Sequence, residues 1–280
     1  MQKEIRTLTT TGLVQVTIAD ERWYLRTVPD PVTGLPTVHE FVPSVTWISS
    51  FYPKGLGFYR WLANTGWDEA QAIKSAAGDK GSRVHRAIVD LIDGQSVSME
   101  AKYAGSDGQE AALSLEEYEC LLAFARWWAA MKPHTLAREL TIFNDQHGYA
   151  GTLDWIGLLE SPPKGLPSGP WILDWKTSAE VWPEHELQVS AYGQADVLKD
   201  ILADANLPVL ALQLGILQVG YRRNKAGWKL TPVDDQFDLF LAAQRIWKKQ
   251  TEGVEVFKRD YPLAVSLDQE PQRQETPHAP

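Results

Sequence analysis

Two apolar runs near the middle of the chain are interrupted by charged residues in a regular pattern. The runs span residues 149–159 and 171–177, and the segment SPPKGLPSGP between them predicts a hairpin connection. Asp174 and Lys176 alternate with an apolar residue, so both side chains project from one face of a strand. Because a hairpin makes its two strands neighbours, we expect Asp154 and Asp174 to converge on one point.

The rest of the chain alternates between helical and strand-like periodicity. Apolar residues three and four positions apart predict helices at residues 58–63, 69–92, 115–131, 183–203 and 236–251. Alternating residues predict two short strands within 13–26, a strand and a turn ahead of the 149–159 run, and two strands around the turn RRNKAG. Pro43 and Ser44 predict the start of one more helix, with Ser44 as its N-cap.

The order of these elements predicts an α/β protein with a central mixed sheet and helices on both sides. We predict an N-terminal elaboration over residues 1–77, a core domain over 78–262 and a disordered tail over 263–280, where the sequence is polar and rich in proline. The apolar residues within 99–114 show neither helical nor strand periodicity, so we predict a loop there.

Composition narrows the class of protein. A hydrophobic fraction of 44% in 280 residues supports a full core, and no apolar run is long enough to cross a membrane. The N-terminus lacks the apolar centre of a secretory signal, so the cytoplasm is the expected location. The single cysteine, Cys120, rules out an internal disulfide and a cluster held by four cysteines.

Charge and aromatic content bear on nucleic-acid binding. The net charge of −9 counts against a broad basic surface, although acidic residues at a metal centre contribute to it. The chain has twelve tryptophans. Most are expected in the core, and some are candidates for stacking on unpaired bases.

The charged residues of the 171–177 run have two interpretations. Its other residues are Trp, Ile and Leu, which are typical of a buried strand, and buried charges are costly unless they are paired or bind a metal. Asp174 and Lys176 therefore form either a structural ion pair or part of a site for a divalent cation. Two carboxylates on adjacent strands offer the oxygen ligands that Mg²⁺ prefers.

The ordered motifs GTLD and ILDWKTS resemble the core signature of the PD-(D/E)XK nucleases, whose RecB-like branch adds a Q-x-x-x-Y motif on the next helix. ELQVSAY supplies this motif as Gln188 and Tyr192. The segment PSVTWI is similar to the entry segment of mitochondrial genome-maintenance exonucleases and related phage nucleases. The resemblance implies a restriction-endonuclease-like core. It also implies that the protein is located in the cytoplasm of a bacterium or of a phage-infected host cell.

The resemblance also assigns roles to individual residues. It implies catalytic roles for Asp154, Asp174, Lys176, Gln188 and Tyr192. It implies that Mg²⁺, for which Mn²⁺ substitutes, is held by the side chains of His85, Asp154 and Asp174 and the backbone carbonyl of Trp175, with Glu139 as a further carboxylate. No iron–sulfur cluster is expected.

The residues themselves leave simpler roles open for several of these positions. His85 shares a helix face with apolar residues and is otherwise a core histidine, and Glu139 is otherwise a surface acid. Gln188 and Tyr192, four apart on a helix, either fix that helix to the strands, hold a phosphate or bond to each other on the surface. The cations Arg83, Arg86, Arg222, Arg223 and Lys225 are candidates for phosphate contact or belong to solvated faces.

The expected function is metal-dependent hydrolysis of DNA, by an exonuclease acting on single-stranded ends. The alternatives are a structure-specific or restriction-like endonuclease, a non-catalytic nucleic-acid-binding accessory protein of recombination, and a hydrolase of another phosphate ester. The expected partner is DNA, with a further protein of replication or recombination left unidentified, and no membrane.

Overall fold

The computed structural model describes residues 4–8, 14–18, 21–29, 36–159, 162 and 164–253. The N-terminal strands form an antiparallel sheet in the order β1-β2-β3-β4, with β1 at Glu4–Leu8, β2 at Val14–Ile18, β3 at Glu21–Pro29 and β4 at Pro36–Pro43. A separate small hairpin pairs β5, Lys102–Ala104, with β6, Glu110–Ala112.

The central sheet is mixed and has the order β11-β10-β9-β8-β7. Its strands are β7 (Pro133–Asn144), β8 (Tyr149–Leu159), β9 (Gly169–Lys176), β10 (Gln213–Val219) and β11 (Trp228–Val233). Strands β9 and β10 run parallel, and the other neighbouring pairs are antiparallel. The hairpin predicted from SPPKGLPSGP joins β8 to β9, and the one predicted around RRNKAG joins β10 to β11.

Helices cover both faces of this sheet. They are α1 (Val45–Ser49), α2 (Leu56–Thr65), α3 (Trp67–Ile92), α4 (Leu115–Met131), α5 (Pro183–Tyr192), α6 (Leu198–Asp204) and α7 (Phe237–Gln250), with a short 3-10 helix at Val209–Ala211. Helices α3 and α4 pack on one face, and α1, α5 and α7 pack on the other. The predicted α/β class with a central mixed sheet and flanking helices is confirmed.

Strand β9 shows why the sheet is buried on both sides. Trp171, Leu173 and Trp175 enter the core shared with α3 and α4, whereas Ile172 enters the opposite core. All four are buried. Since side chains alternate along a strand, Asp174 and Lys176 project toward the side of Ile172, where α1 and α5 lie.

The N-terminal sheet packs against the core beside α1. Trp23 of β3 contacts Trp47 of α1 with 4.8 Å between the ring centroids, and Trp47 contacts Trp247 of α7 at 5.2 Å. The Ser44 hydroxyl accepts a hydrogen bond of 3.1 Å from the Trp47 N–H, which confirms Ser44 as the N-cap of α1. These contacts fix the sheet against α1.

Two sequence predictions are wrong in detail. Residues 99–114 contain the β5–β6 hairpin, whose strands are too short to show periodicity. The helix predicted over 183–203 is interrupted after Tyr192, because the connection is tied to β7. There the Asp196 N–H donates to Phe143 O at 3.0 Å, and Asn144 donates to Gln194 O at 2.6 Å.

The predicted division at residues 77 and 78 falls inside α3, which continues through it without interruption. The predicted disordered tail, 263–280, lies outside the described residues. Within the described part of the chain, no helix combines the length and the apolar character that crossing a bilayer requires.

Candidate active site

A cavity of about 590 Å³ opens where β8 and β9 separate. The ladder between these strands ends at the pair Trp155 and Leu173. Beyond that pair, the Trp175 N–H donates a hydrogen bond of 2.7 Å to Oδ2 of Asp154, so a carboxylate replaces the missing backbone partner. The separation of the strands exposes Asp154 and Asp174 to the same cavity. The two acids that were predicted to converge therefore line one cavity.

Asp154 is buried among donors. His85 Nδ1 lies 3.3 Å from Oδ1 of Asp154, and Lys176 lies in the same cavity. Burial by itself raises the pKa of Asp154, but His85, Lys176 and the Trp175 N–H outweigh burial and hold that pKa below its ordinary value. Asp154 therefore remains ionised at neutral pH.

His85 connects α3 to both strands of the site. In addition to its contact with Asp154, Nε2 of His85 lies 3.0 Å from the backbone carbonyl of Trp175. Burial lowers the pKa of His85, but the Asp154 carboxylate, with Glu139, raises it to about 9. The protonated ring therefore donates to Asp154 and to the carbonyl that the family resemblance assigns as a metal ligand. His85 lines the cavity and is half-buried, so it is not a fully buried core histidine.

Glu139 lies on β7 opposite Asp154, between the paired positions Arg138–Trp155 and Leu140–Leu153. Its φ of 45° is left-handed, which is unfavourable for a residue with a side chain. Oxygen and nitrogen atoms of His85, Glu139 and Asp154 all lie within 4.8 Å of one another. Burial and the neighbouring Asp154 raise the pKa of Glu139 to about 7. Glu139 is thus a cavity residue and not a surface acid.

Asp174 and Lys176 form the predicted pair on one face of β9. Lys176 Nζ lies 2.6 Å from Oδ2 of Asp174, and the Asp174 side chain is 1% exposed. Within the described part of the chain, neither carboxylate oxygen has a partner of hydrogen-bond geometry, so the contact with Lys176 is an ion pair. Burial raises the pKa of Asp174 to about 6, despite the opposing effect of Lys176. A buried carboxylate that is compensated by a single ammonium group suits a site that receives a further cation.

Gln188 and Tyr192 lie on one face of α5, as their spacing predicts. Gln188 accepts from Lys176 Nζ at 3.3 Å and donates to the Tyr192 hydroxyl at 2.6 Å. Tyr192 is buried against Gly151, where an added Cβ would lie 2.7 Å from the tyrosine ring. The glycine of the GTLD motif therefore makes room for the tyrosine of the Q-x-x-x-Y motif. Of the roles considered, fixing the helix and Lys176 to the strands fits these contacts.

The predicted phosphate-contacting cations are mostly engaged with other protein groups. Arg83 bonds to the buried Glu117 at 2.8 Å, and Arg86 donates to Ala104 O at 2.9 Å. Among the cations of the β10–β11 turn, Arg222 pairs with Glu116 at 2.6 Å and Arg223 pairs with Glu180. Only Arg86 of the five lines the cavity.

The N-terminal part of the chain contributes cavity residues that sequence reasoning missed, namely Gln15, Arg22, Tyr24 and Thr46. The Tyr24 hydroxyl bonds to Thr152 of β8 at 2.8 Å, two residues before Asp154. Alternation along β3 shows that Arg22 and Tyr24 share a face, but no local signal places that face against β8.

The tryptophans divide as expected. Most of those in the described regions are buried or half-buried, whereas Trp61, Trp67 and Trp182 are exposed. These three are the tryptophans available for stacking on a base.

The donor set of the cavity fits a hard divalent cation. Carboxylate oxygens of Glu139, Asp154 and Asp174 and a backbone carbonyl are the ligands of Mg²⁺ and Mn²⁺, and Mn²⁺ also accepts the imidazole nitrogen of His85. The close cluster differs from the predicted set. Its members are His85, Glu139 and Asp154, while Asp174 lines the same cavity and faces Lys176.

A comparison with models of known protein families gave no match to the chain, and a search of curated proteins found no significant match.

Proposed function

We propose that the protein is a divalent-metal-dependent nuclease of the PD-(D/E)XK type that hydrolyses phosphodiester bonds in DNA. One observation carries the proposal: Asp154 and Asp174, from strands that separate at this point, share a cavity with Lys176. Such an arrangement joins acids able to hold a cation to a lysine able to stabilise developing negative charge.

The residues that would hold the cation are His85, Glu139 and Asp154, with Asp174 and the Trp175 carbonyl adjacent. A divalent cation bound there would polarise the phosphodiester and make water a better nucleophile. As a ligand His85 would be a neutral imidazole, and the positive charge of the cation would replace that of the ring proton.

Lys176 is positioned to act on the substrate directly. Asp174 on one side and Gln188 on the other fix its ammonium group, which is partly exposed to the cavity. The ammonium group orients the attacking water and stabilises the charge that develops on the phosphate. Tyr192 and Gly151 act through Gln188 and are therefore positioning residues.

We propose an exonuclease in preference to an endonuclease because the N-terminal elements form a wall beside the site. Gln15, Arg22 and Tyr24 of the N-terminal sheet and Thr46 of α1 all line the cavity. A wall of this kind restricts the approach of a continuous duplex and suits the end of a strand. The exposed Trp61, Trp67 and Trp182 are compatible with unpaired bases.

The test is cleavage of end-labelled linear single-stranded DNA and of circular single-stranded DNA, with Mg²⁺, with Mn²⁺ and with EDTA. We expect metal-dependent loss of the linear substrate alone. Asp174→Asn should abolish this loss, whereas Asp200→Asn, which removes an exposed acid of α6, should not. Cleavage of the circle would make the protein an endonuclease, and full activity of a folded Asp174→Asn protein would overturn the proposed site.

A further inference from the structure

The N-terminal sheet forms a fixed wall of the cavity. Gln15 of β2 donates to the Tyr24 hydroxyl at 2.8 Å, and this hydroxyl bonds to Thr152 at 2.8 Å. The wall is thus attached to β8 two residues from Asp154. Arg22 lies two residues before Tyr24 on β3, so both side chains are on the face that lines the cavity.

The Arg22 guanidinium brings a positive charge that the described part of the protein does not neutralise. No hydrogen bond or ion pair reaches its side chain from any described residue. Arg26, four residues further along the strand, pairs with both Glu40 and Asp145. Arg83 and Arg138 likewise pair with carboxylates. Arg22 is half-buried, and an arginine in this environment normally has an anionic partner.

Two contacts fix the backbone of Arg22 beside the cavity. Arg22 pairs with Thr17 in the ladder of β2 and β3, and its carbonyl accepts from the Ser44 N–H at 2.9 Å. Asp154 and Asp174 line the same cavity, and among the described residues their ion pairs are with His85 and Lys176 and not with Arg22. The space between a fixed arginine and a carboxylate cluster suits a ligand that is anionic toward Arg22 and bridged to the acids by a cation.

Thr46 adds a hydroxyl donor on the same side. Its Oγ1 accepts from Gln188 Nε2 at 3.5 Å, which leaves the hydroxyl hydrogen available to a ligand. Thr46 is exposed to the cavity, two residues from the Ser44 that bonds to the Arg22 carbonyl.

We infer that Arg22, assisted by Thr46, is a binding site for a backbone phosphate of the substrate strand. The guanidinium fork binds phosphate oxygens in a bidentate manner that an ammonium group cannot reproduce. This inference rests on the proposed nuclease function and assigns the N-terminal sheet to substrate binding. It also places one positive charge at the cavity of a protein whose net charge is −9.

The test uses the full chain carrying Asp174→Asn, so that binding is measured without cleavage. Arg22→Met removes the charge at similar length, and Arg22→Lys keeps the charge but loses the fork. Arg26→Met is the matched control, because it makes the same change on the same strand outside the cavity. The dissociation constant for a labelled single-stranded oligonucleotide is measured with Mn²⁺ over a series of salt concentrations.

Arg22→Met should weaken binding about tenfold. It should also reduce the slope of the logarithm of affinity against the logarithm of salt by about 0.7, the value for one phosphate contact on a single strand. Arg22→Lys should restore the slope and only part of the affinity, and Arg26→Met should change neither. In the cleaving protein, Arg22→Met should raise KM more than it lowers kcat.

The outcomes separate the two proposals. Suppose that the unmodified protein cleaves DNA but Arg22→Met changes neither the affinity nor the salt slope. That result overturns the Arg22 assignment and leaves the nuclease proposal standing. A parent protein that neither binds nor cleaves nucleic acid overturns both. Thermal melting of each variant without DNA shows whether the fold is retained. If Arg22→Lys melts normally but binds the oligonucleotide as weakly as Arg22→Met, a contact based on charge is contradicted.

Discussion

The backbone N–H of Trp175 donates a hydrogen bond of 2.7 Å to the carboxylate of Asp154 at the point where β8 and β9 separate. Asp154 therefore has two roles in one position. Its Oδ2 completes the backbone hydrogen bonding of the sheet, and its Oδ1 faces His85 and the cavity. Asp154 thus lines the cavity and also joins β8 to β9 at the point where the strands separate.

This dual role predicts different effects for two substitutions at the same position. Asp154→Asn retains an oxygen that accepts from the Trp175 N–H, whereas Asp154→Ala leaves a buried donor unsatisfied. We expect Asp154→Ala to lower the free energy of unfolding by about 1–3 kcal/mol relative to Asp154→Asn. Both variants should lose cleavage, since the carboxylate charge is gone. Urea denaturation and the cleavage assay measure the two effects, and equal stability of the two variants would show that the hydrogen bond is unimportant.

The carboxylate and histidine cluster predicts stabilisation by a divalent cation. A ligand that binds only the folded state at one hundred times its Kd adds about 2.7 kcal/mol to stability. We expect Mn²⁺ to raise the melting temperature of the parent protein and to have little effect on Glu139→Gln, which removes a carboxylate of the cluster.

Asp200→Asn, on the exposed face of α6, is the control for loss of a carboxylate elsewhere and should respond to Mn²⁺ like the parent. EDTA should reverse the shift. An equal Mn²⁺ response in the parent and Glu139→Gln would remove Glu139 from the cation site. Because the readout is melting temperature, it is independent of any cleavage activity.

Gly151 predicts a packing effect that reaches Lys176. The Cβ of an alanine would lie 2.7 Å from the Tyr192 ring and 3.4 Å from a methyl of Val45, and both neighbours are buried. Gly151→Ala should therefore cost about 1–3 kcal/mol of stability through overpacking. It should also lower kcat, because Tyr192 holds Gln188 and Gln188 holds Lys176.

Gly57→Ala is the matched control for this substitution. A Cβ at Gly57, in the exposed helix α2, would meet nothing within 4 Å, so the change should be neutral or slightly stabilising. Calorimetric melting and steady-state kinetics measure both variants. If Gly151→Ala has the melting temperature of the parent, the nearby Tyr192 ring does not require a glycine at position 151.

The parts of the site that the sequence predicted are local. Asp174 and Lys176 share a face because strands alternate, and Gln188 and Tyr192 share one because helices repeat every three to four residues. The hairpin between β8 and β9 follows from the composition of its connection. Each of these relationships involves few residues and a fixed period, so it can be read from the letters alone.

The remaining features depend on contacts between distant segments. Arg22 reaches the cavity because the register of the N-terminal sheet places Tyr24 against Thr152. Glu139 has a left-handed backbone between two positions of β7 that pair with β8. Arg83 was predicted as a phosphate contact, but it lies beside Glu117 of α4, a partner that appears only when the helices are packed. No local pattern encodes these juxtapositions.

His185 predicts how stability depends on pH. Its Nδ1 accepts from the Trp182 N–H at 3.3 Å at the start of α5, which requires the neutral ring. Burial, together with Lys176 and Lys54, lowers the pKa of His185 to about 3. In the unfolded chain a histidine takes up its proton near pH 6.5. Protonation therefore favours the unfolded state, and this contribution to stability is complete above pH 6.5 and is lost as the pH falls toward 3.

At pH 5.5 the loss due to this residue relative to pH 7 should be about 1.2 kcal/mol. His185→Asn keeps an acceptor for the Trp182 N–H and does not titrate, so its free energy of unfolding should decline less over this range. His134→Asn, an exposed histidine of β7, should decline like the parent. Urea denaturation at pH 7, 6.5, 6 and 5.5 gives the difference between each variant and the parent. Because carboxylates contribute equally to all three proteins, parallel curves for the parent and His185→Asn would mean that His185 is protonated in the folded state.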